Sequence, residues 1–376
     1  MLQITMRSMS IHWKDMTPSL LQRHDNTTSL RHHATSRQSR AQPKISNTDV
    51  IVERQSTNND RVDQHHCRTK PNNMTHTYYI TIDPIGRLGN QMFIYATLQG
   101  LALGSNHTPI VRCTLLAKHF SLIASNCIPS KNELLAKFPD NKNCTVKLRE
   151  KHSGMYETAV VDGVKNSRGK NVHIAAGYYQ SWKYFRNVTH IIRKHFQYDS
   201  NVMTIAKMHF QSLIDRYKQI TNVTASGDVT TIGIHVRRGD FLSSRAINRG
   251  KSVGTVDYFH AAMRYFRKQH TNCVFLVASN DVKWCREHLA AHDVIMIADS
   301  TVNVTSSSIH VSDVQRDMSI LRLVEHNIIS TGSFSWWIGW FTRGQVVYYK
   351  DFPANGSSLS RDLNKDDYYP QQWIAM

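Results

Sequence analysis

The chain has 376 residues, 40% of them hydrophobic, and 46 lysines and arginines against 28 aspartates and glutamates give a net charge of +18. That length suits two domains with some chain left over. The apolar content excludes a chain disordered throughout, a collagen-like chain and a small disulfide-stapled scaffold. The charge suggests a nucleic-acid partner, but the basic residues are not clustered among stacking aromatic residues, so we predict none.

The first 76 residues are predicted to form a disordered polar stem. They are rich in Ser, Thr, Asn, Gln, His and Arg and show no sustained hydrophobic periodicity. Such a segment cannot bury enough apolar surface to offset the entropy of ordering. The N-terminus lacks the apolar core of a signal peptide, and no apolar run in the chain reaches the roughly 18 residues of a transmembrane helix.

From residue 77 onward, short apolar runs alternate with longer amphipathic segments. One helical face carries Val256, Phe259, Met263 and Phe266, and further helices are predicted at 91–103 and 201–220. Strands are predicted at 78–82, 109–113, 172–178, 231–236, 273–278, 294–298, 327–331 and 345–349. Apolar strands that alternate with helices indicate βα units with buried parallel strands, so we predict an α/β fold.

Residues 234–240 combine two arginines with the carboxyl end of a predicted strand. Ligands of open α/β sheets bind just beyond this end, and a guanidinium is a forked donor for phosphate or carboxylate. His235 and Arg237 point to one side of an extended strand and Arg238 to the other. We therefore expect one arginine to meet a ligand and the other to hold neighbouring chain. The alternative is a surface ion pair between Arg238 and Asp240.

Residues 331–337 (TGSFSWW) form a predicted strand-to-helix junction. A Gly/Ser turn that leads into a helix presents free N–H groups and the positive end of the helix dipole, which favours an anion. The alternative is an ordinary serine-capped helix. Gly332 and Ser335 have the spacing G-x-x-S, which excludes the G-x-S-x-G elbow of serine hydrolases.

Residues 84–91 (PIGRLGNQ) form a third junction of strand, glycine turn and helix. Their spacing is neither a Walker loop nor G-x-G-x-x-G, so neither an NTPase nor a dinucleotide-dependent dehydrogenase follows. HExxH, CxxC and DxD motifs are also absent from the sequence, and we predict no metal. Arginines and helix dipoles at three junctions instead suit a phosphate-bearing ligand held between two α/β halves.

Cysteines and glycosylation sequons both bear on the cellular compartment. The 6 cysteines are an even number, compatible with disulfide pairing or with buried thiols. Asn-x-Ser/Thr sequons are in moderate excess, which favours the secretory pathway. Within the predicted folded part they begin at Asn106, Asn143, Asn187, Asn222, Asn303 and Asn355.

Five sequence blocks occur in an order that is recognisable. They are GRLGNQM with YATL (86–98), GYYQSW (177–182), HVRRGD (235–240), ASNDVKWC (278–285) and STGSFSWW (330–337). Together they resemble the galactoside α-1,2-fucosyltransferases of glycosyltransferase family 11, over about residues 77–376. The HxRRxD block also resembles α-1,6-fucosyltransferases and protein O-fucosyltransferases.

The resemblance implies a GT-B-like architecture of two Rossmann-like, parallel-sheet halves behind the stem. It implies inverting, metal-independent transfer of L-fucose from GDP-fucose to the 2-hydroxyl of a terminal β-galactose on a glycan, with no cofactor beyond the donor. It also implies a type II protein of the Golgi lumen, although no membrane anchor is visible in this sequence. The expected segments are a stem (1–76), an acceptor-side half (77–225), a GDP-fucose-binding half (226–350) and a tail that packs back (351–376).

The resemblance also implies roles for individual residues. Arg237 matches the arginine that clamps the β-phosphate, and His235 and Asp317 match residues that hold guanine. Further donor contacts are expected from Arg238, Ser333, Phe334 and Ser335, and from Arg87 and Asn90 of the first half. Tyr179 and Trp182 form an aromatic wall for the acceptor sugar or simply pack in the core.

The general base and the acceptor are left open by the sequence. Asp240 is the carboxylate nearest to the arginines and is taken as catalytic, but it could instead orient Arg238. Asp281 is a second candidate, or a cap for the following helix. A protein O-fucosyltransferase and a non-catalytic glycan- or polyanion-binding protein are the alternative functions.

Overall fold

The computed structural model describes residues 77–112, 114–128, 130–138, 144–222, 228–300, 302 and 311–376. The predicted stem and the sequons at Asn143 and Asn303 lie outside the described residues.

The first half contains a four-stranded parallel sheet. Its strands are β1 (Tyr79–Ile82), β2 (Thr108–Pro109), β3 (Thr145–Leu148) and β4 (Asn171–Ile174), in the order β2-β1-β4-β3. The helices are α1 (Leu88–Ser105), α2 (Leu115–His119), α3 (Ser121–Ala124), α4 (Lys131–Lys137), α5 (Thr158–Lys165), α6 (Thr189–His195) and α7 (Ser200–Thr221). Short 3-10 helices lie at Trp182–Tyr184 and Arg186–Val188.

The second half contains a six-stranded parallel sheet. Its strands are β5 (Thr230–Val236), β6 (Cys273–Ser279), β7 (Val294–Met296), β8 (His326–Ile329), β9 (Val346–Tyr348) and β10 (Ile374–Ala375). The helices are α8 (Ser244–Asn248), α9 (Val256–Gln269), α10 (Val282–His288), α11 (Asp313–Leu321), α12 (Ser333–Phe341), α13 (Ser358–Arg361) and α14 (Lys365–Tyr368), with 3-10 helices at Gly239–Leu242 and Ile297–Asp299.

The strand order of the second sheet, β10-β9-β8-β5-β6-β7, is that of a Rossmann fold. The chain starts at the central strand β5, builds outward through β6 and β7, and then returns to the other side of β5 with β8. Most residues of β5 and β6 are buried, as expected for parallel strands covered on both faces. The predicted α/β, GT-B-like fold class is confirmed.

The two halves meet through α1 and α12. The indole N–H of Trp337 donates to the carbonyl oxygen of Gly89 at 3.0 Å, and the ring of Phe93 lies 4.4 Å from that of Trp336 between centroids. Phe93, Trp336 and Trp337 are fully or almost fully buried. The contact is therefore part of the apolar core, and it fixes the beginning of α1 against the beginning of α12.

The C-terminal segment contacts both halves. β10 pairs with β9, and the Nε1 of Trp336 donates to the carbonyl oxygen of Tyr368 at 2.7 Å. On the first half, Lys183 and Asp367 form an ion pair at 2.6 Å. Helix α7 precedes the predicted boundary at residue 225, yet it packs against α11 and β6 of the second half. The domain boundaries stay a prediction.

Two strands, β3 and β10, were not predicted, and most of the predicted strands are shorter than expected, those at 109–113 and 172–178 most of all. The run predicted at 172–178 ends as a strand at Ile174, and Tyr179 soon after has a left-handed backbone with φ of 49°. Strand β2 covers only Thr108–Pro109, whereas the predicted strand covered 109–113. A short strand has too few alternating positions for its periodicity to be read from sequence.

The four cysteines in the described ranges divide into disulfide-bonded and free ones. Cys127 and Cys144 are disulfide-bonded, whereas Cys273 and Cys285 are free and buried. Burial raises the pKa of each free thiol to about 11. The side chains of the described sequon asparagines, Asn106, Asn187, Asn222 and Asn355, are exposed. Among the described helices, none is long and apolar enough to cross a membrane.

Candidate active site

The candidate site lies at the carboxyl ends of β5 and β8. These neighbouring strands form the point where the strand order of the second sheet reverses, which is where open α/β sheets bind ligands. The block beginning at His235 ends β5, and the block beginning at Ser330 follows β8. The fold thus brings together two motifs that are almost 100 residues apart in sequence.

A buried hydrogen-bond network joins the two motifs. The Nδ1 of His235 lies 2.6 Å from the Oγ of Ser335, which lies 3.2 Å from the Oγ of Ser330. The backbone N–H of Arg237 donates to Ser330 Oγ at 2.7 Å. Ser335 is completely buried, and its hydroxyl also donates to the carbonyl oxygen of Thr331. The hydroxyl of Ser335 thus holds the two strand ends together, and the predicted donor contact of Ser335 stays a prediction.

Burial, reinforced by the positive charge of Arg237, lowers the pKa of His235 to about 3. The imidazole is therefore neutral in the folded protein at physiological pH. In the unfolded chain its pKa is about 6.5, so below that pH the unfolded state binds a proton that the folded state does not.

We expect this histidine to destabilise the fold as the pH falls from about 6.5 toward 3. The free energy of unfolding, measured by urea denaturation between pH 7.5 and 4.5, should decline less steeply in His235→Asn than in the wild type. His190→Asn, which changes an exposed histidine, is the control and should keep the wild-type slope. Equal slopes in all three proteins would contradict a buried neutral His235.

Asp240 connects arginines of the two halves. Its Oδ1 accepts a short hydrogen bond from the guanidinium of Arg237, and its Oδ2 lies 3.5 Å from the Nη1 of Arg87. The Arg87 side chain is 76% exposed. The alternative pairing of Asp240 with Arg238 is not formed. The carboxylate instead holds one arginine from each half. This place, where the two halves meet at the ends of β5 and β8, is called the crevice from here on.

Arg238 is occupied elsewhere. Its Nε donates to Asp281 Oδ2 at 3.3 Å, and its guanidinium carbon lies 4.1 Å from the ring centroid of Trp284. Asp281 also accepts from the backbone N–H of Trp284, which makes it the N-cap of α10, as one of the two alternatives predicted. The Arg238 side chain is thus paired and stacked and holds neighbouring chain, as expected for one of the two arginines, and its predicted donor contact stays a prediction.

Asn90 bridges three segments at the crevice. Its Oδ1 accepts from Ser333 Oγ at 2.6 Å and from Gln180 Nε2 at 2.9 Å. Ser333 belongs to the second half, and Gln180 follows β4 of the first half. The prediction that Asn90 reaches across to a ligand stays a prediction; the contact present is with Ser333 itself.

Glu150 is a site residue that the sequence analysis missed. Its buried carboxylate accepts the backbone N–H groups of Tyr178 and Tyr179, at 2.5 and 2.9 Å. Burial raises its pKa to about 7, although the two N–H groups act in the opposite direction. Glu150 thereby holds the turn that presents Gln180 to Asn90. Only the fold brings residue 150 next to residues 178–180, so no local pattern could have indicated it.

Two long helices begin at the crevice without a side-chain cap. Arg87 is the N-cap residue of α1 and Gly332 that of α12, and neither helix has a capping side-chain hydrogen bond. Gly332 has φ of 93°, a backbone conformation that favours glycine. The first N–H groups and the positive ends of two helix dipoles therefore lie beside Arg87 and Gly332 without a capping side chain, an arrangement suited to an anion.

Lys251 is a second residue that the sequence analysis missed. Its Nζ lies 4.3 Å from the ring centroid of Phe241, and the same ring lies below the guanidinium of Arg237 at 5.7 Å. Lys251 stands in an irregular segment between α8 and α9, outside every block that was recognised. A sequence signal for its position was therefore lacking.

The chain matches one family model over most of its length. A family model described as Glycosyl transferase family 11 matches residues 48–376. The chain belongs to glycosyl transferase family 11. The predicted resemblance is confirmed.

Relatives of this family 11 protein carry informative names. It is 26% identical over 307 residues to a galactoside alpha-(1,2)-fucosyltransferase 1 of Bos taurus, covering 79% of this chain and 75% of the relative. It is 29% identical over 300 residues to a protein of the same name from Lagothrix lagotricha, with coverage of 79% and 74%. A solved structure of a mutant Arabidopsis thaliana FUT1 in complex with GDP is similar at 13% identity and a TM-score of 0.44, covering 76% of this chain and 72% of that one.

Three further predicted site residues of the family 11 protein are Tyr179, Trp182 and Asp317. Tyr179 is fully buried and its hydroxyl donates to the carbonyl oxygen of Ala175, so it packs in the core, as one of the two alternatives predicted. Trp182 is half-buried, with its Nε1 3.3 Å from the carbonyl oxygen of Asp366. Asp317 accepts from the guanidinium of Arg316, and burial raises its pKa to about 6. The ligand roles of Trp182 and Asp317 stay predictions.

The last predicted donor-binding residue is Phe334. The ring of Phe334 lies 5.1 Å from that of His235, at the first turn of α12. Within the described ranges of this family 11 protein, no group of three or more His, Cys, Asp or Glu side chains could hold a metal ion.

Proposed function

We propose that this protein transfers L-fucose from GDP-fucose to the 2-hydroxyl of a terminal β-galactose on a glycan. The observation that carries the proposal is the convergence of Arg237 and Arg87 on one carboxylate, at the ends of β5 and β8 and beside two uncapped helix N-termini. This is the chemistry that a nucleoside diphosphate requires. Family membership and the names of the relatives support fucose as the sugar and a galactoside as the acceptor.

The donor is proposed to lie along the second sheet. Arg237 binds the β-phosphate, with N–H groups of Ser333 and Phe334 at the start of α12 as further donors. Arg87 adds a contact from the first half. Guanine is assigned to the side of His235 and Asp317, because a carboxylate is a natural acceptor for the N–H groups of guanine.

The reaction needs one bond broken, one formed and one proton moved. The hydroxyl oxygen at position 2 of galactose attacks C1 of fucose, and the bond between C1 and the phosphate oxygen breaks. GDP leaves with the electron pair of that bond, and its negative charge is stabilised by Arg237. Asp240 is proposed to take the hydroxyl proton, since the diphosphate would replace its carboxylate as the partner of the two arginines.

We propose that transfer does not require a divalent metal. Two arginines and two helix N-termini supply the positive charge that a metal supplies in other glycosyltransfer sites. The protein is further proposed to work in the Golgi lumen. The disulfide-bonded Cys127 and Cys144 and the exposed sequon asparagines support an oxidising secretory compartment.

The test is GDP release from GDP-fucose, with and without lactose as the β-galactoside, in buffer containing EDTA. We expect release that depends on lactose and is unchanged when Mg²⁺ replaces EDTA. Release with a folded polypeptide as acceptor but not with lactose would favour a protein O-fucosyltransferase. The absence of release with any acceptor would contradict the proposal, and release only with Mg²⁺ would contradict metal independence.

A further inference from the structure

Lys251 is positioned by the fold at the edge of the crevice. Its ammonium lies over the ring of Phe241, and that ring also lies close to Gly332: a Cβ added to Gly332 would be 3.1 Å from Phe241 Cζ. Phe241 is almost fully buried, and Gly332 is the residue immediately before α12. The ring therefore fixes the ammonium beside the N-terminus of α12 and beside Arg237.

The Lys251 ammonium lies near other cationic side chains, and no carboxylate of the described residues pairs with it alone. Across the described ranges, no hydrogen bond or ion pair of the Lys251 Nζ is formed with a protein group, and Asp240 is already shared by Arg237 and Arg87. Partial burial lowers the pKa of Lys251; Asp240 opposes this, while Arg249, Arg237 and Arg87 add to it. One carboxylate thus faces at least three cations in this part of the crevice.

An accumulation of like charge is unfavourable unless an anion neutralises it. The cation–π contact with Phe241 offsets only part of this cost. A diphosphate carries two or more negative charges. It would satisfy Arg237, Arg87 and Lys251 together, which the single carboxylate of Asp240 does not.

We infer that Lys251 is a donor-binding residue that contacts the diphosphate of the nucleotide sugar. The inference rests on the proposed function and adds a residue to it. Lys251 acts on the ground state and on the departing GDP alike, so its removal should raise the Kd for GDP and the KM for GDP-fucose more than it lowers kcat.

The test compares Lys251→Met with Lys251→Arg and with Lys283→Met as the matched control. Methionine keeps an unbranched apolar chain over Phe241 and removes the charge, whereas Lys283 is 88% exposed on α10. We expect the Kd for GDP, by isothermal titration calorimetry, to rise about tenfold in Lys251→Met, in line with loss of one charge-assisted hydrogen bond. Lys251→Arg should stay within about threefold of wild type, and Lys283→Met should be unchanged.

Guanosine separates a phosphate contact from a structural role. Its Kd, measured by ligand-observed NMR, should be the same in Lys251→Met and wild type, since guanosine has no phosphate. Equal weakening of GDP binding and guanosine binding, or an unchanged Kd for GDP in Lys251→Met, would overturn the inference. The proposed function would still stand if the wild-type protein transfers fucose. A wild-type protein that does not bind GDP would overturn both.

Discussion

Replacing Arg237 by alanine is expected to reduce kcat/KM for GDP-fucose by about a thousand-fold, which corresponds to about 4 kcal/mol of transition-state stabilisation. Two effects add. The guanidinium no longer stabilises the charge on the departing diphosphate, and Asp240 loses a partner and remains as an unneutralised carboxylate close to the phosphates. The backbone N–H of residue 237, which donates to Ser330, is retained in the variant.

Steady-state kinetics with GDP-fucose and lactose measure this loss. Arg245→Ala, which removes an exposed arginine from nearby α8, should keep wild-type kinetics. Arg237→Lys should be intermediate, because an ammonium keeps the charge but not the fork of donors. Thermal unfolding of each variant separates loss of the site from loss of the fold. Wild-type kcat/KM in Arg237→Ala would exclude Arg237 as the phosphate-binding arginine.

Gly89→Ala is expected to have the second-largest effect, through the contact between the two halves. A Cβ on Gly89 would lie 2.6 Å from the backbone nitrogen of Phe334 and 2.7 Å from the carbonyl carbon of Ser333. Both are backbone atoms, so the beginnings of α1 and α12 must move apart. We expect a loss of about 1–3 kcal/mol in unfolding free energy, as for an overpacked core. The kcat/KM should also fall about tenfold or more, because the displaced helices carry Arg87 and the N–H groups of the crevice.

Gly104→Ala is the matched control, in the same helix. A Cβ there has no neighbour within 4 Å. Alanine at this position should stabilise the protein by about 0.5–1 kcal/mol, through its better helix propensity, and leave the kinetics unchanged. Urea denaturation and steady-state kinetics of both variants make the comparison. If Gly89→Ala behaved like Gly104→Ala, close backbone contact between α1 and α12 would not matter for the site.

What could be predicted from sequence follows from local patterns. The apolar runs of β5 and β6 are long enough to be recognised as buried strands in the sequence. The amphipathic face of α9 is likewise long enough to show its helical period. The position of Arg237 followed from its place at a strand end, since ligands of open α/β sheets bind there. The Gly332 junction followed from glycine at a strand-to-helix turn.

What could not be predicted depends on contacts between distant residues. The alternative to a catalytic Asp240 was a pairing with the adjacent Arg238, but the 3-10 turn at Gly239–Leu242 brings the carboxylate to Arg237 and to Arg87 of the other half. Lys251 is placed at the site by its contact with the ring of Phe241, and Glu150 by its hydrogen bonds to a turn almost 30 residues later. Tyr179 lies in a recognised block next to exposed chain, and only its packing shows that it belongs to the core.

The linkage of the product tests the central claim most directly. The reaction of the wild-type protein with GDP-fucose and lactose in EDTA would be purified and its product analysed by two-dimensional NMR. The account predicts a single new fucose in the α configuration, with a through-bond correlation from its C1 to position 2 of galactose. A fucose on any other hydroxyl, or a β configuration, would contradict it.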